Sequence, residues 1–589
     1  MNKPNNLDAL RHSTQHILQL VVEKLLNGKK VIGPTIENGF FGDFDAKITE
    51  QDLPILEKEM VKVINKDLKI KTGTITFEQA KSLFNENPYK LEIIEDINNK
   101  NEQIGICEIG EKDQEYYDID ICAGPHIKST GQIDPKAFKL LSIAGAYFKG
   151  DEKNKMLTRI YGTAFEDSQQ LSKYLVHIEE NKKYDHRELN KILDIYTTSE
   201  LVGKGLIMYT PNGTIIKNEL RDHLLNLSKK YGALEVNIPH MAKIDLYKVS
   251  GHAQKFEEEL FKVIGHYKEE FVLKPVNCPH HTQIFASKPK SYKDLPISYV
   301  ESTQQHRDEK PGSLIGLNRA RSFEIDDGHT FCTPEQLKSQ VINLLNTIKE
   351  FYTSFGMWGN HWISLSFRDP KNPQKYIGDN SDWEKSQNLL LEINQELSLN
   401  GIVMLGEAAL YGPKIDVILK DALQNDRQLG TVQIDFSMPK RFDLKYTDKD
   451  GSTKTPVMIH RAILGSYHRF IANLLESTKG NLPAWLCPTQ VAIITVSSKF
   501  EDYANKIQQK LLKNNIRSKI YNDDETLGKK IRSVQEIKIP YMFIVGEKEE
   551  QNNLVSLRLR DGKELKNQEI DQVINKINNI LLTKRVSLW

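Results

Sequence analysis

Three arginines, an aspartate and a histidine between residues 307 and 329 carry much of the chemistry this chain can offer, in RDEKPGSLIGLNRARSFEIDDGH. Tyr299 to Arg307 and Asn318 to Phe331 read as extended runs joined through Pro311, Gly312 and Gly316, which makes a hairpin. Alternation puts Arg319, Arg321, Asp327 and His329 on one face, and Arg307 can meet them from the first strand. Guanidiniums keep their charge and offer a planar fork to oxyanions, so three of them on a sheet suit a polyphosphate. The competing reading is an exposed sheet laced with salt bridges to Glu301, Asp308, Glu309 and Glu324.

Histidines and cysteines form the second set. His12 and His16 stand four apart in LDALRHSTQHILQLVVEKLL and share a helix face. A zinc protease would need glutamate after the first histidine, where Ser13 stands. Asp120, Cys122 and His126 follow in DIDICAGPHIKS, around Gly124-Pro125. These residues could bind zinc by ligand type, form a metal-free pocket whose imidazoles position water and a substrate, or simply be buried and satisfied. Cys278 and His281 also have metal-ligand spacing, a weak signal by itself.

Those residues need elements to hold them. At 589 residues the chain has room for about four domains. With 39% hydrophobic and 27% charged residues it reads as soluble and globular. No apolar run reaches the roughly 18 residues of a membrane span, and the polar start MNKPNN is unlike a signal peptide, so a cytosolic location is expected. Five scattered cysteines, Cys107, Cys122, Cys278, Cys332 and Cys487, argue against a disulfide framework. Net charge is +1, so any basic surface must be local.

Along the chain, a helix from Leu7 to Leu26 ends at Asn27-Gly28. Residues 141–165 read as strand, charged loop and strand, closing a first domain at 1–165. Residues 166–195 read as a linker helix. An amphipathic helix over 214–233 opens the next domain, 196–483. Hairpins dominate there, and an antiparallel sheet is the expected platform. TPVMIHRAILGSYHRF changes period from strand to helix, with His460 closing the strand and Arg469 early in the helix. No GxxxxGK[ST] occurs, so a nucleoside triphosphate would be held by side-chain arginines on the sheet. From 484 to 589 strands alternate with helices, which predicts a small α/β domain with a mixed sheet. A surplus of about five positive charges there suits a nucleic-acid face, and equally a dimerisation or regulatory domain.

The ordered motifs resemble a bacterial-type threonyl-tRNA synthetase, nearly end to end. HRDEKPGSL with RARSFEIDDGHTF resembles class II motif 2, PVMIHRAILGSYHRF motif 3, and GTIIKNELRDHLLNLSKKYGALEVNIP motif 1. RHSTQH and DICAGPH resemble the family's editing signatures, and LGKKIR, KIPYMFIVGEKE and LVSLRLRDG its anticodon-binding domain. The resemblance implies a multidomain α+β and α/β architecture: an α+β editing domain, a class II antiparallel-sheet catalytic domain and a C-terminal α/β anticodon-binding domain. The family usually begins with a small ubiquitin-like domain, whereas His12 of the editing signature arrives almost at once here, so a member lacking that domain is expected. A homodimer through the motif 1 region is implied.

The resemblance further implies threonine activation with ATP, transfer to tRNA(Thr), and hydrolysis of mischarged seryl-tRNA(Thr). Arg307 matches the arginine on the α-phosphate, Arg469 that on the γ-phosphate, and Arg319 and Gln428 further ATP contacts, with magnesium bridging the phosphates. His252 matches the residue near the terminal ribose, placed to assist proton removal. Cys278, His329 and His460 match three zinc ligands, one zinc per subunit, with an open position for the amino group and hydroxyl of threonine. Asp327, Tyr411 and Gln433 match the threonine-binding set. Valine lacks the hydroxyl and is refused, whereas serine differs by one methyl, worth only about 1–3 kcal/mol, hence a second site. His12, His16, Lys90, Asp120, Cys122 and His126 match that editing pocket, which in the family works without metal. Asp524, Glu549 and Arg558 match anticodon-reading positions, although relatives have asparagine at the first. His280, Ile325, Leu429 and Tyr467-His468 depart from the pattern and are expected at the active-site wall, with His280 a possible competing ligand. A catalytically silent paralogue binding RNA as a regulator is the alternative, and the retained arginines and metal ligands oppose it.

Overall fold

The computed structural model describes residues 6–36, 38–150, 154–255, 257–359, 361–420 and 426–589. Two compact units divide between Glu180 and Asn181. In the first, helix α1 (Asn6–Leu26) packs on an antiparallel sheet of Lys29–Lys30, Thr35–Ile36, Gly39–Asp45, Phe138–Tyr147 and Met156–Ala164. Asn27 takes a left-handed φ of 50° and ends α1, where the Asn-Gly pair predicts. Ile17, Leu18 and Val21 of α1 bury against Phe40, Phe44 and Ile160, the 3.6-residue stripe of a half-buried helix. A second sheet, Ile70–Ile75, Ile104–Ile109 and Asp118–Ile121, carries the Cys122 segment at its end.

Where the sequence suggests one linker helix over 166–195 there are two, Ser168–Lys182 and α2 (His186–Leu193). Asp185 caps α2 by accepting a hydrogen bond from Arg187 N at 2.8 Å, so a new helix starts instead of the old one continuing. α2 belongs to the second unit, with Leu189 buried alongside Tyr196, Ile216 and Leu317.

Helix α3 (Pro211–Lys230) starts and ends about three residues before the expected 214–233. The cause is local: Thr210 accepts from Gly213 N and Pro211 occupies the first turn. The eight-stranded sheet beside it contains β1 (Leu234–Glu235), β2 (Ile297–His306), β3 (Ser322–Cys332), β4 (His361–Phe367), β5 (Ile402–Leu405), β6 (Lys414–Lys420), β7 (Asp426–Asp435) and β8 (Val457–Ala462). Their order is β1-β2-β3-β8-β7-β6-β4-β5, antiparallel except for the two edge pairs β1/β2 and β5/β4. Registers align one row of side chains across five strands: Lys414 opposite Gln433, Gln433 opposite His460, His460 opposite His329, and His329 opposite Tyr299. Behind the sheet Val432, Ile434, Ile459 and Phe470 are fully buried.

Residues 490 onward form a mixed five-stranded sheet, with Val491–Thr495 between Ser518–Tyr521 and Tyr541–Val545 in parallel and Leu554–Leu559 and Glu564–Glu569 added antiparallel. It joins the rest of its unit through Arg517, which donates to Glu219 Oε1 of α3 at 2.5 Å and to the Trp485 carbonyl at 2.7 Å. Among the described residues no helix is long and apolar enough to cross a membrane.

Candidate functional site

The aligned row concentrates chemistry. His329 and His460 are cross-strand partners with ring centroids 4.8 Å apart. Cys278 arrives at the first turn of helix α4 (Cys278–Ala286), and one donor atom from each of the three lies within 4.8 Å of the others, all three residues buried. Their outer partners are in place: His460 Nε2 is 3.0 Å from Asp435 Oδ2, and His329 Nδ1 is 2.8 Å from His281 Nδ1. Burial, followed by Asp327 and Asp435, raises the Cys278 thiol well above its usual range, and burial holds His329 neutral. A thiol and two imidazoles, with the Asp327 and Asp435 side chains close to the sulfur, form a dry recess that suits a borderline-soft cation such as zinc. His281 is an orienting neighbour here, not a donor of its own Cys278 pair. His280 lies outside the donor set; it is buried and burial lowers it to about 4.

The rest of the row lines the recess. Tyr411 stacks on His460 at 4.5 Å and donates its hydroxyl hydrogen to Gln433 Oε1 at 2.8 Å. Asn277 Nδ2 donates to Asp327 Oδ2 at 3.0 Å, and burial raises the Asp327 carboxyl. His252 sits 4.0 Å from Cys278 Sγ, its Nδ1 2.9 Å from Ser250 Oγ. Ile325 is on the same β3 face as Asp327 and His329, as alternation requires. Leu429 is not at the wall: it is buried in the apolar core with Val432 and Ile434. Against β6 the register shifts there, with Val417 opposite Gly430 and Ile418 opposite Gln428, so Leu429 is the extra residue of a bulge. That bulge brings Gln428 onto the face of Thr431, and both donate to Asp416 Oδ1 at 2.7 Å.

The arginines meet in a different way from the hairpin reading. β3 begins at Ser322, so Arg319 and Arg321 lie in the connection after β2 and not on a strand face. Ile315 and Arg319 form an isolated bridge that folds this connection back on itself. Arg319 donates to Glu309 Oε2 at 2.9 Å and Arg321 to the Glu309 carbonyl at 3.0 Å, which is part of the salt-bridge alternative. Arg469 is exposed near the start of helix α5 (Tyr467–Ser477). Desolvation in the cleft, then the charges of Arg427, Arg307 and Arg319, lower the Arg469 pKa. Burial likewise lowers Arg307. Three guanidiniums close enough to lower a fourth share a cleft in need of anionic charge. Arg427, which the sequence reading did not single out, is part of it. Tyr467 and His468 face the other way, Tyr467 bonded to Ser302 Oγ at 2.7 Å and His468 beside the Tyr209 ring at 5.1 Å, both buried.

In the first unit the second histidine set converges as well. Ring centroids of His12 and His126 are 4.6 Å apart and those of His16 and His126 5.0 Å, while Cys122 Sγ is 3.4 Å from His12 Nε2 and 3.1 Å from His126 Nε2. Burial lowers all three histidines, His126 to about 4, and raises Cys122, so the pocket is neutral imidazole and thiol. Beneath it the buried Lys90 Nζ is 2.5 Å from Asp120 Oδ1. Gly124 closes the pocket: a Cβ there would come within 2.0 Å of the His12 ring. Gly124→Ala is therefore expected to displace His12 and to cut any hydrolysis that this pocket supports at least about tenfold, with the second unit unaffected; equal hydrolysis in the variant would show the ring position is irrelevant.

The three tail residues stand apart. Asp524 is exposed after the Ser518–Tyr521 strand. Glu549 accepts from Gly546 N at 3.1 Å and from Ser556 Oγ at 2.8 Å, and Arg558 pairs with Glu564. The contact with Gly546 makes Glu549 a helix-capping residue, and that with Ser556 ties it to the neighbouring strand.

Comparisons with known proteins agree with these features. Residues 104–161 match the family described as threonyl and alanyl tRNA synthetase second additional domain, 261–478 the tRNA synthetase class II core domain (G, H, P, S and T), and 490–580 the anticodon binding domain. The threonine–tRNA ligase of Oceanobacillus iheyensis is 40% identical over 98% of this chain and 89% of that protein; that of Synechocystis sp. is 42% identical over 98% and 96%. Among solved structures, the RNA binding domain of threonyl-tRNA synthetase from Cryptosporidium parvum Iowa II is 34% identical with a TM-score of 0.63, covering 68% of this chain and 99% of that one. A putative threonyl-tRNA synthetase from Aeropyrum pernix follows at 25% identity and a TM-score of 0.61, over 68% and 95%.

Proposed function

The chain belongs to the threonine–tRNA ligase family, and from that premise we propose which of its residues perform each step. It is an aminoacyl-tRNA synthetase with a class II core, an anticodon-binding domain and an editing domain, acting on threonine, ATP and tRNA, with magnesium accompanying ATP. We assign the editing domain to 1–165, the connection to 166–195, the catalytic domain to 196–483 and the anticodon-binding domain to 484–589.

The arginine cleft carries this assignment. Arg307 and Arg469 flank the phosphates, with Arg319, Arg427 and Gln428 as further contacts. Attack by the threonine carboxylate on the α-phosphate builds charge on its oxygens, and fixed guanidiniums stabilise that charge without rearranging. Before ATP arrives Glu309 holds Arg319, so binding exchanges one oxyanion for another. Cys278, His329 and His460 would hold one zinc, whose Lewis acidity supplies a position for the amino group and hydroxyl of threonine. Asp327, Tyr411 and Gln433 orient that amino acid, and Asn277 fixes Asp327. His252 takes the proton of the tRNA hydroxyl in the transfer step, with Ser250 orienting its ring.

In the first unit His12, His16, Cys122 and His126 form a neutral pocket in which imidazole nitrogens position water at a seryl ester, with the Lys90–Asp120 pair beneath. Asp524, Glu549 and Arg558 face the anticodon; Glu549 and Arg558 must leave their present partners to do so. A homodimer through α3 and β1 is supported by the open edge of β1, where Leu234 is 57% exposed. A cytoplasmic location follows from the role in translation.

Threonine-dependent exchange between ATP and pyrophosphate tests the first step. Threonine, and serine more weakly, should support exchange and valine should not. Absence of exchange with retained RNA binding would favour the silent paralogue. Editing is tested by His12→Ala with His16→Ala: threonylation should persist while seryl-tRNA accumulates, and unchanged clearance would remove the assignment.

A further inference from the structure

The buried His186 belongs to a third cluster of polar groups, with the half-buried Asp185 and Glu476, that no step above uses. Both of its ring nitrogens are engaged. Nδ1 lies 2.7 Å from Glu476 Oε1, and Nε2 accepts a hydrogen bond from the backbone N–H of Leu317 at 3.2 Å. The donor on one side and the acceptor on the other require the neutral ring with its hydrogen on Nδ1, and the Glu476 carboxylate selects that tautomer.

The two partners lie on the segments that carry the arginines. Leu317 is in the connection between β2 and β3, two residues before Arg319 and four before Arg321. Glu476 is on α5, two turns beyond Arg469. His186 itself starts α2, outside the catalytic sheet. Leu317 is 1% exposed, so its N–H has no water to turn to if the ring is removed. The loop is shaped for this contact: Gly316 holds φ at 43°, and a Cβ there would come 2.6 Å from His186 Nε2.

We propose that His186 is a positioning residue for ATP, tying the loop of Arg319 and Arg321 to the helix of Arg469 through its two ring nitrogens. This rests on the reading of Arg319 and Arg469 as part of the phosphate cradle. The role is selective, because threonine is held by the row on β3, β7 and β8, whose residues do not touch the ring.

The test uses the full chain with three variants. In His186→Asn the amide nitrogen can still donate to Glu476, but nothing reaches Leu317. In His186→Gln the carbonyl oxygen reaches the position of Nε2. Gly316→Ala breaks the same contact from the loop side. ATP binding by titration calorimetry and KM values in pyrophosphate exchange are measured together with Tm. His186→Asn and Gly316→Ala should weaken ATP binding and raise its KM by about tenfold, with threonine KM within about twofold of wild type, and His186→Gln should recover most of the loss. Unchanged ATP affinity in His186→Asn overturns the proposal, as does an equal rise in both KM values tracking a fall in Tm, the mark of a merely structural role. A wild-type chain that binds ATP without threonine-dependent exchange would fail the ligase assignment instead, and the ratio of ATP affinities between variants would still decide the role of His186.

Discussion

Cys278→Ala is expected to purify without zinc and to lose threonine activation by about three to four orders of magnitude, since a site built around a substrate hydroxyl discriminates by roughly 10⁴. Two imidazoles alone make a poor zinc site in a pocket this dry. Imidazole ligands bring no negative charge to a metal, whereas the thiolate supplies the charge that offsets desolvation of a divalent cation. Metal analysis and exchange assays with threonine, serine and valine read the outcome. Cys487→Ala is the control, because Cys487 is as buried as Cys278 but packs in the apolar core and belongs to no metal-ligating cluster among the described residues. A Cys278→Ala chain that stays metal-free and still activates threonine while refusing valine would remove the metal from specificity altogether.

The second large effect is expected at Arg307 and Arg469. Alanine at either should lower kcat/KM for ATP in the exchange assay by about 10²–10³, or roughly 3–4 kcal/mol of transition-state stabilisation each. Lysine should recover only part of this, since it offers a point charge where a planar fork is used. The same substitution should act in the opposite direction on the unliganded chain. Desolvation first, and then the charges of Arg427, Arg307 and Arg319, lower the Arg469 pKa, so both costs fall away when this guanidinium is removed and are offset when ATP binds. Arg469→Ala is therefore expected to match or exceed the wild-type Tm without ATP, and to gain less than wild type when ATP is added. A variant with lowered Tm and unchanged ATP stabilisation would show that the arginine holds the fold and not the nucleotide.

Element types were legible in the sequence where local chemistry decides them. Asn27-Gly28 stops α1, and the alternation over β3 places Ile325, Asp327 and His329 on one face. What local pattern cannot carry is register. The convergence of Cys278, His329 and His460 depends on which residues of β3, β7 and β8 stand opposite one another, and only the family resemblance pointed to that set. The Leu429 bulge is illegible for the same reason, and it moved Leu429 into the core and Gln428 to the site. Arg319 and Arg321 looked like strand residues because extended spacing continues through them, yet the chain folds back at Ile315. Arg427 and Asp416 carried no motif, and the spacing of His281 from Cys278 suggested a ligand where the fold makes an orienting neighbour; all three matter because of what a folded sheet sets beside them. His186 was hidden within a charged helical stretch whose break is made by a single capping aspartate.

The row from Lys414 to Tyr299 also bears on how the catalytic sheet finds its pairing. A strand slipped by one residue turns every side chain to the opposite face. On β8 such a slip would carry His460 into the apolar layer and bring Arg461, now buried against Asp326, toward the recess. Two donors facing each other across adjacent strands exist in only one register of β3 with β8. Metal bound at Cys278, His329 and His460 would thus be a report on strand pairing, and the fraction of refolded chains that retain zinc would count those whose sheet had closed in step.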